Sequence, residues 1–325
     1  YSPETGQYQG ECVGHFGTIH QIGFSVPSAP HMLHSCSSDG TVRAWDTRTV
    51  QQVSCVGAGL SQEIFSFSFG GPDNNILAAG SNSQINFWDW RNQKQVACLE
   101  ESHTEDVTQV HFIPGHSNKL LSASVDGLIC IFNTSGDIND DDHLDSVINV
   151  GTSVGKVGFF GESYDKLWCL THIESLSIWD WEEGRLEADL QEARSLASKS
   201  WAADPVDYFV DCHCPSESDS IWVIGGTNSG SLGYFPVDYR VGAIGSPEAI
   251  LGGGHVGIVR SVLPMPSTKS RPCQSQGIFG WSGGEDGRLC CWLSDDSPDS
   301  RRSWISSALV MKSPTICKRS RHRPY

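Results

Sequence analysis

A histidine, a serine and an aspartate recur in one order at three places in this chain: His15, Ser35 and Asp39; His103, Ser122 and Asp126; His255, Ser282 and Asp286. These residue types together can relay a proton and activate a hydroxyl for attack on an acyl carbon. An enzyme needs one activated nucleophile, however, and a set that appears three times, each time with its aspartate followed by glycine, points to a structural role. Gly280 to Gly284 also spells G-x-S-x-G around Ser282, a pattern that works where a strand turns sharply into a helix. Glu285-Asp286-Gly287 and another strand pattern follow instead, so the match carries no nucleophile. His172-Ile173-Glu174 is half of a zinc-deaminase motif without its Pro-Cys-x-x-Cys half. The sequence has no phosphate-binding loop, no dinucleotide fingerprint and no H-E-x-x-H. The reading is therefore non-enzymatic, with no catalytic residue and no cofactor.

Metal chemistry has little to stand on. Cys212-His213-Cys214 is the densest cluster of soft ligands, but no second pair stands at zinc-site spacing, and a strand over Tyr208 to Cys214 accounts for it. Asp137, Asp140, Asp141, Asp142 and Asp145 lack the glycine and terminal glutamate of a calcium loop and read as a solvated connection.

The elements that position the three sets are themselves repeated. Each histidine precedes a β-branched and aromatic strand, then a Ser-rich strand ending in Asp-Gly, then a short apolar strand closed by an aromatic residue. The closing aromatics Trp45, Trp88, Phe132, Trp179, Phe235 and Trp292 lie 43 to 57 residues apart, giving six units. The wider spacings leave room for polar insertions at Gln191 to Asp204 and Pro264 to Gln276. In the first unit, alternation and turn chemistry predict strands over Ile19 to Phe24, Met32 to Ser37, Thr41 to Trp45 and Val50 to Val56, with a tight turn at Asp39-Gly40. In the third they predict Val107 to Phe112, Lys119 to Ser124 and Leu128 to Phe132. The one helix-like run, Trp181 to Leu196, is expected in a loop.

This repeat resembles the WD-repeat β-propeller superfamily, an all-β fold that usually serves as a platform for other macromolecules. The resemblance implies a hydrogen-bonded tetrad in each strong unit, running from the turn aspartate through histidine and serine to the indole N–H. The tetrads would be His15, Ser35, Asp39 and Trp45; His103, Ser122 and Asp126, ending early because Phe132 has no N–H; and His255, Ser282, Asp286 and Trp292. Asn82, Ile173 and Ser229 stand at the turn-aspartate position of the other three units, which are expected to rely on packing. Leu121 to Asn133, Gly253 to Ser261 and Gly283 to Trp292, with the order of strong and degraded repeats and the basic C-terminal stretch, are similar to the WD repeat-containing protein 89 family. That resemblance implies an adaptor without catalytic chemistry.

The ends suggest further organisation. Tyr8 to Val13 reads as an outer fourth strand without its own blade, whereas the last unit has an outer strand at Trp304 to Met311. The expectation is a seven-bladed parent, here six complete blades plus an orphan outer strand; a six-bladed ring with an extra strand is the alternative. Residues 1–311 form the propeller, 1–13 the remnant of an N-terminal blade, and 312–325 a basic tail.

At 325 residues, 38% hydrophobic with 11 Trp and 13 Phe, the chain can bury a large core as one domain. No apolar run reaches a membrane span. The twelve cysteines are dispersed, mostly within strand patterns, which suits free thiols in a reducing compartment and an intracellular protein of the nucleus or cytoplasm. A net charge of −16 disfavours nucleic-acid binding by the body. The tail residues Lys312, Lys318, Arg319, Arg321, His322 and Arg323 reverse that sign, as an import signal, an RNA-touching arm or a solvated terminus.

Two functional classes follow. One is a protein-interaction scaffold, in nuclear or ribosome-assembly complexes, using the face where the Asp-Gly turns gather; Thr18, Ser38, Asn82, Glu105, Val125, Val256 and Glu285 are candidate partner contacts. The other is a substrate receptor of a cullin-type ubiquitin ligase. Trp-Asp-x-Arg occurs twice, as Trp45-Asp46-Thr47-Arg48 and Trp88-Asp89-Trp90-Arg91, so Asp46, Arg48, Asp89 and Arg91 are candidate contacts for the ligase adaptor.

Overall fold

Short alternating segments rich in Ile, Val, Phe and Trp, each bounded by Gly, Asp, Asn or Ser, can bury their apolar side chains as antiparallel hairpins. The computed structural model describes residues 7–24, 29–59, 61–136, 138, 143–201, 205–214, 219–264, 278–293, 303–305 and 310–312. Two compact units divide the chain.

The first unit holds four sheets of four strands. They are β1 (Ile19–Phe24), β2 (Met32–Ser37), β3 (Thr41–Asp46) and β4 (Gln51–Gly57); β5 (Ile64–Gly70), β6 (Ile76–Ser81), β7 (Ile85–Asp89) and β8 (Lys94–Leu99); β9 (Val107–Ile113), β10 (His116–Ser124), β11 (Leu128–Asn133) and β12 (Leu144–Asn149); and β13 (Val154–Phe160), β14 (Lys166–Thr171), β15 (Leu176–Asp180) and β16 (Arg185–Leu190). In every sheet the strands pair antiparallel in chain order. Central strands such as β7 and β11 are buried on both faces, whereas the outer strand β4 alternates between exposed and buried positions.

Core lies between successive sheets of this unit. Val42, Ile64, Phe67, Leu77 and Trp88 join the first and second; Ile85, Phe87, Val110, Leu120 and Phe132 the second and third; Leu121, Ile129, Val157, Leu167 and Trp181 the third and fourth. Each large side chain fully buried here contributes about 1.5–3 kcal/mol of transfer free energy. Polar bonds between innermost strands fix the stacking. Gln21 Oε1 accepts from the Phe67 amide at 2.8 Å, Ser68 Oγ from the Phe112 amide at 2.9 Å, and the Thr108 hydroxyl donates to the Val154 carbonyl at 2.9 Å.

The second unit starts at Arg194, within α1 (Ala193–Ser200), and contains two sheets. The fifth is built from β17 (Tyr208–His213), β18 (Ile221–Gly226), β19 (Leu232–Asp238) and a divided outer edge, β20 (Ala243–Ile244) and β21 (Ala249–Gly252). The sixth has β22 (Val259–Pro264), β23 (Ile278–Gly284) and β24 (Arg288–Leu293); β25 (Ser303–Ile305) and β26 (Val310–Lys312) follow. Val210, Ile224, Tyr234, Leu251, Val259 and Trp292 form the core between these two sheets.

Three expectations need correction. Residues 7–18 carry no strand. Tyr8 to Val13 alternates like one, but the segment lacks regular strand geometry as far as Gly14, where a Cβ would meet Arg43 Nη1 at 2.6 Å and Trp45 at 2.9 Å. The helix is Ala193–Ser200; Trp181 to Leu190 instead turns at Gly184 (φ 64°) and pairs as β16 with β15. The last outer strand is divided: β26 pairs antiparallel with β24, whereas β25, containing Trp304, lies parallel to β21 on the fifth sheet. The insertion after Pro264 and the tail after Lys312 fall outside the described residues. Among the described residues no helix is long and apolar enough to cross a membrane.

Candidate interaction surface and its hydrogen-bonded supports

The turn at Asp39-Gly40 joins β2 to β3 and places Asp39 beneath the segment that precedes β1. His15 Nδ1 lies 2.8 Å from Asp39 Oδ2, His15 Nε2 lies 2.8 Å from Ser35 Oγ, and Trp45 Nε1–H donates to that same hydroxyl at 2.8 Å. An ionised aspartate can only accept, so Nδ1 carries the proton. Nε2 is then an acceptor, and Ser35 donates to it while accepting from the indole. The hydroxyl is thereby held as a link in a chain rather than freed as a nucleophile.

The third sheet repeats this geometry between β10 and β11. His103 Nδ1 is 3.0 Å from Asp126 Oδ2 and Nε2 is 2.7 Å from Ser122 Oγ; Phe132 offers nothing further. In the sixth sheet His255 Nδ1 lies 3.1 and 3.2 Å from the two Asp286 oxygens, Nε2 is 2.8 Å from Ser282 Oγ, and Trp292 Nε1–H donates to Ser282 at 2.7 Å.

Each aspartate also accepts the amide of the residue after its histidine: Phe16 at 3.0 Å, Thr104 at 3.0 Å and Val256 at 2.9 Å. It caps its own turn as well, through the amides of Thr41, Leu128 and Arg288. Burial by itself would raise the carboxyl pKa values, but these bonds outweigh it. Hydrogen bonds from the Thr41 hydroxyl, His15 and the Phe16 amide hold Asp39 down at about 2, and Asp126 and Asp286 are lowered for corresponding reasons. Burial lowers the pKa of His103 despite Asp126 beside it, which keeps that imidazole neutral.

The degraded units have hydrogen-bonded turns of their own, so packing alone does not hold them. Asn82 Oδ1 accepts the Glu63 amide at 2.9 Å and its Nδ2 donates to Asp106 at 2.9 Å, linking the second sheet to the approach of the third. Thr171 Oγ1 meets Ser175 Oγ at 2.7 Å, and Thr227 Oγ1 meets Ser229 Oγ at 2.8 Å while accepting the Ser231 amide. Ile173 and Ser229 lie within these turns. The legible signal was a threonine four residues before a serine, in Thr171 to Ser175 and again in Thr227 to Ser231.

The candidate contacts sort by exposure. Thr18, Glu105, Val256 and Glu285 are exposed, whereas Ser38 and Val125 are half-buried and occupied: Ser38 Oγ accepts the Thr18 amide and the Val125 amide donates to Asp106. Glu285 pairs with Arg260. Sequence reasoning missed Phe16, 91% exposed under the Arg43 guanidinium, and Thr104. Both occupy the position after a tetrad histidine, which Val256 fills in the sixth sheet.

At the opposite end of the sheets, Arg48 binds its own neighbour Asp46 through two bonds, at 3.0 and 2.6 Å, and this holds the Asp46 carboxyl below the usual range. The Arg91 amide caps Asp89, while its guanidinium reaches Asp73 at 3.1 Å. The two Trp-Asp-x-Arg copies are thus engaged differently and within the chain.

Among the described residues no three His, Cys, Asp or Glu side chains gather as a metal site, and every described cysteine is a free thiol. Burial pushes Cys36, Cys130, Cys169 and Cys214 up to about 12, so they sit as protonated apolar side chains. Most of the aspartate run from Asp137 lies outside the described residues; Asp145 lies 3.7 Å from Lys119 Nζ.

Stacked four-stranded antiparallel sheets whose Asp-Gly turns are tied to a preceding histidine define a WD-repeat β-propeller. Residues 6–46 and 93–133 match the WD domain, G-beta repeat family. WD repeat-containing protein GTS1 of Arabidopsis thaliana is 65% identical over 329 aligned residues, covering all of this chain and 83% of that protein. The WD repeat-containing protein 89 homolog of Dictyostelium discoideum is 36% identical, over 67% of this chain and 58% of that protein. The solved structure of U3-55K has 13% identity and a TM-score of 0.64, covering 91% of this chain and 83% of its own; the WD40 repeats of RRP9 give 14%, 0.64, 91% and 82%, and both show the fold. The chain belongs to the WD repeat-containing protein family, close to protein 89.

Proposed function

We propose that this protein is a non-enzymatic scaffold that joins proteins in nuclear or ribosome-assembly complexes through the turn ends of its sheets. The observation that carries this reading is the use made of the three histidine–serine–aspartate sets. Each set is consumed in tying a loop to a turn, and each aspartate simultaneously fixes the amide of the next loop residue, so that Phe16, Thr104 and Val256 stand outward on held backbone. Preorganised outward side chains lower the ordering cost of association. The net charge of −16 favours partners of opposite sign and speeds their encounter, and assembly of an RNA-rich particle supplies such proteins in quantity.

The test is sedimentation of the tagged protein from cell extract at low salt. The native chain should travel with large ribosomal precursors, and Phe16→Ala together with Val256→Ala should shift it toward the top of the gradient without changing its melting curve. A native chain that stays at the top under these conditions refutes the assembly reading.

A further inference from the structure

Away from the turn ends, a cavity of about 300 Å³ opens between the second and third sheets, lined by Phe69, Gly70 and Asn74 on one side and Phe112, Pro114 and Ser117 on the other. Its walls are rigid for identifiable reasons. Phe69 is braced edge-on by Trp90 and His34, with ring centroids 5.4 and 4.7 Å away. Phe112 lies directly over the Gly70 backbone, where any Cβ would collide with its ring. The mouth is pinned because the Gly71 amide donates to the Ser117 carbonyl at 2.8 Å. Gly115 faces open space.

A volume of this size is at the lower limit for small-molecule sites and suits one inserted side chain. Phe69, Phe112 and Pro114 call for an apolar one. Asn74 and Ser117 add polar groups that can receive the backbone of an extended segment.

The surroundings set the sign of that segment. Asp73, beside Asn74, is 69% exposed, and its contact with exposed Arg91 is the kind of surface pair worth little and readily exchanged. Glu182, 56% exposed, lies 3.9 Å from His116, next to the lining. We propose that this cavity docks a basic, extended protein segment through one aromatic or aliphatic anchor side chain, with the flanking cations facing Asp73 and Glu182. The inference deepens the scaffold reading by naming a second contact surface and the chemistry of its partner.

Fluorescence anisotropy on the whole chain tests it with four labelled peptides. Three are Lys/Arg/Ser peptides with a central Phe, Leu or Ala, and the fourth is an Asp/Glu/Ser peptide with the same Phe. The basic Phe and Leu peptides should bind roughly tenfold or more tighter than the Ala peptide, as burial of one large apolar side chain requires. The acidic peptide should bind more weakly than its basic counterpart. Ser117→Trp, at an exposed position whose backbone bond is kept, should fill the mouth and remove the Phe-over-Ala preference. Asp73→Lys should weaken all the basic peptides. Equal binding of the Phe and Ala peptides, an unchanged preference in Ser117→Trp, or stronger binding of the acidic peptide would overturn the proposal. Ser117→Trp that loses the preference yet still travels with ribosomal precursors leaves both readings standing. Anchor binding by a native chain that never enters those particles sinks the assembly reading alone.

Discussion

At the scale of single residues, the three tetrads share one plan but not one energy. In the first sheet Ser35 serves two neighbours, accepting from the Trp45 indole and donating to His15; in the third, Ser122 serves His103 alone because Phe132 has no N–H. Ser35→Ala therefore orphans a buried donor and a buried acceptor, whereas Ser122→Ala orphans one acceptor. Each orphan costs about 1–3 kcal/mol, so urea unfolding should show the larger loss for Ser35→Ala by about 1 kcal/mol or more. Asp286→Ala strands the buried His255 Nδ1–H, while the exposed Val256 amide is left to water, and a loss of about 1–3 kcal/mol is expected; a melting curve identical to the native one would show that this chain of bonds carries no stability. Sequence displayed the members of these sets because their order repeats. Phe16 and Thr104 escaped notice because what places them is a backbone amide, and an amide has no letter.

Among elements, the Asp-Gly turns show why glycine follows aspartate. Gly40 and Gly287 both have positive φ, at 77° and 71°, a region that costs a residue with a Cβ about 1–2 kcal/mol. Their surroundings differ. A Cβ on Gly40 would come within 2.5 Å of the Gln62 carbonyl oxygen and 2.7 Å of that of Gly59, while on Gly287 it would meet nothing within 4 Å among the described residues. Gly287→Ala should thus cost only the backbone strain, and Gly40→Ala clearly more, because two backbone segments must also move. Equal losses in thermal melts would mean that the neighbouring loop yields freely. The strands themselves were legible where local pattern and ladder agreed: Ile19–Phe24 and Met32–Ser37 have the boundaries that alternation gives. Tyr8 to Val13 alternates equally well but forms no strand, and it leads into His15, which Asp39 and Ser35 hold. The helix-like stretch after Trp181 divides into β16 and, further on, α1. Its first half had a strand partner in β15 that periodicity does not reveal.

For the molecule as a whole, the formal charge is printed in the sequence but its dependence on folding is not. His34 shows this best. It is 1% exposed, packed against Phe67, Phe69 and Trp90, with no protein hydrogen-bond partner at either ring nitrogen among the described residues, and burial lowers its pKa to about 4. The unfolded chain takes up a proton at this histidine below about pH 6.5 and the folded chain only near pH 4, so acidification favours unfolding, by up to roughly 3 kcal/mol across that window. His103, also lowered, acts in the same direction. The tetrad carboxylates add a second, more acidic limb. Asp39, held at about 2, stabilises the fold fully above the ordinary carboxyl range and loses that contribution as pH falls toward 2. Stability measured by urea midpoint should therefore fall in two stages, one beginning below pH 6.5 and one below about pH 4. His34→Leu removes the buried ionisable ring. It should unfold within about 1.5 kcal/mol of the native chain at pH 7 and show a shallower first stage, with the second unchanged. Asp39→Asn should do the reverse, lowering stability at neutral pH and flattening the second stage. Superimposable pH profiles for the native chain and His34→Leu would show that His34 is hydrated in solution, and the aromatic packing around it would then have to open far enough to admit water.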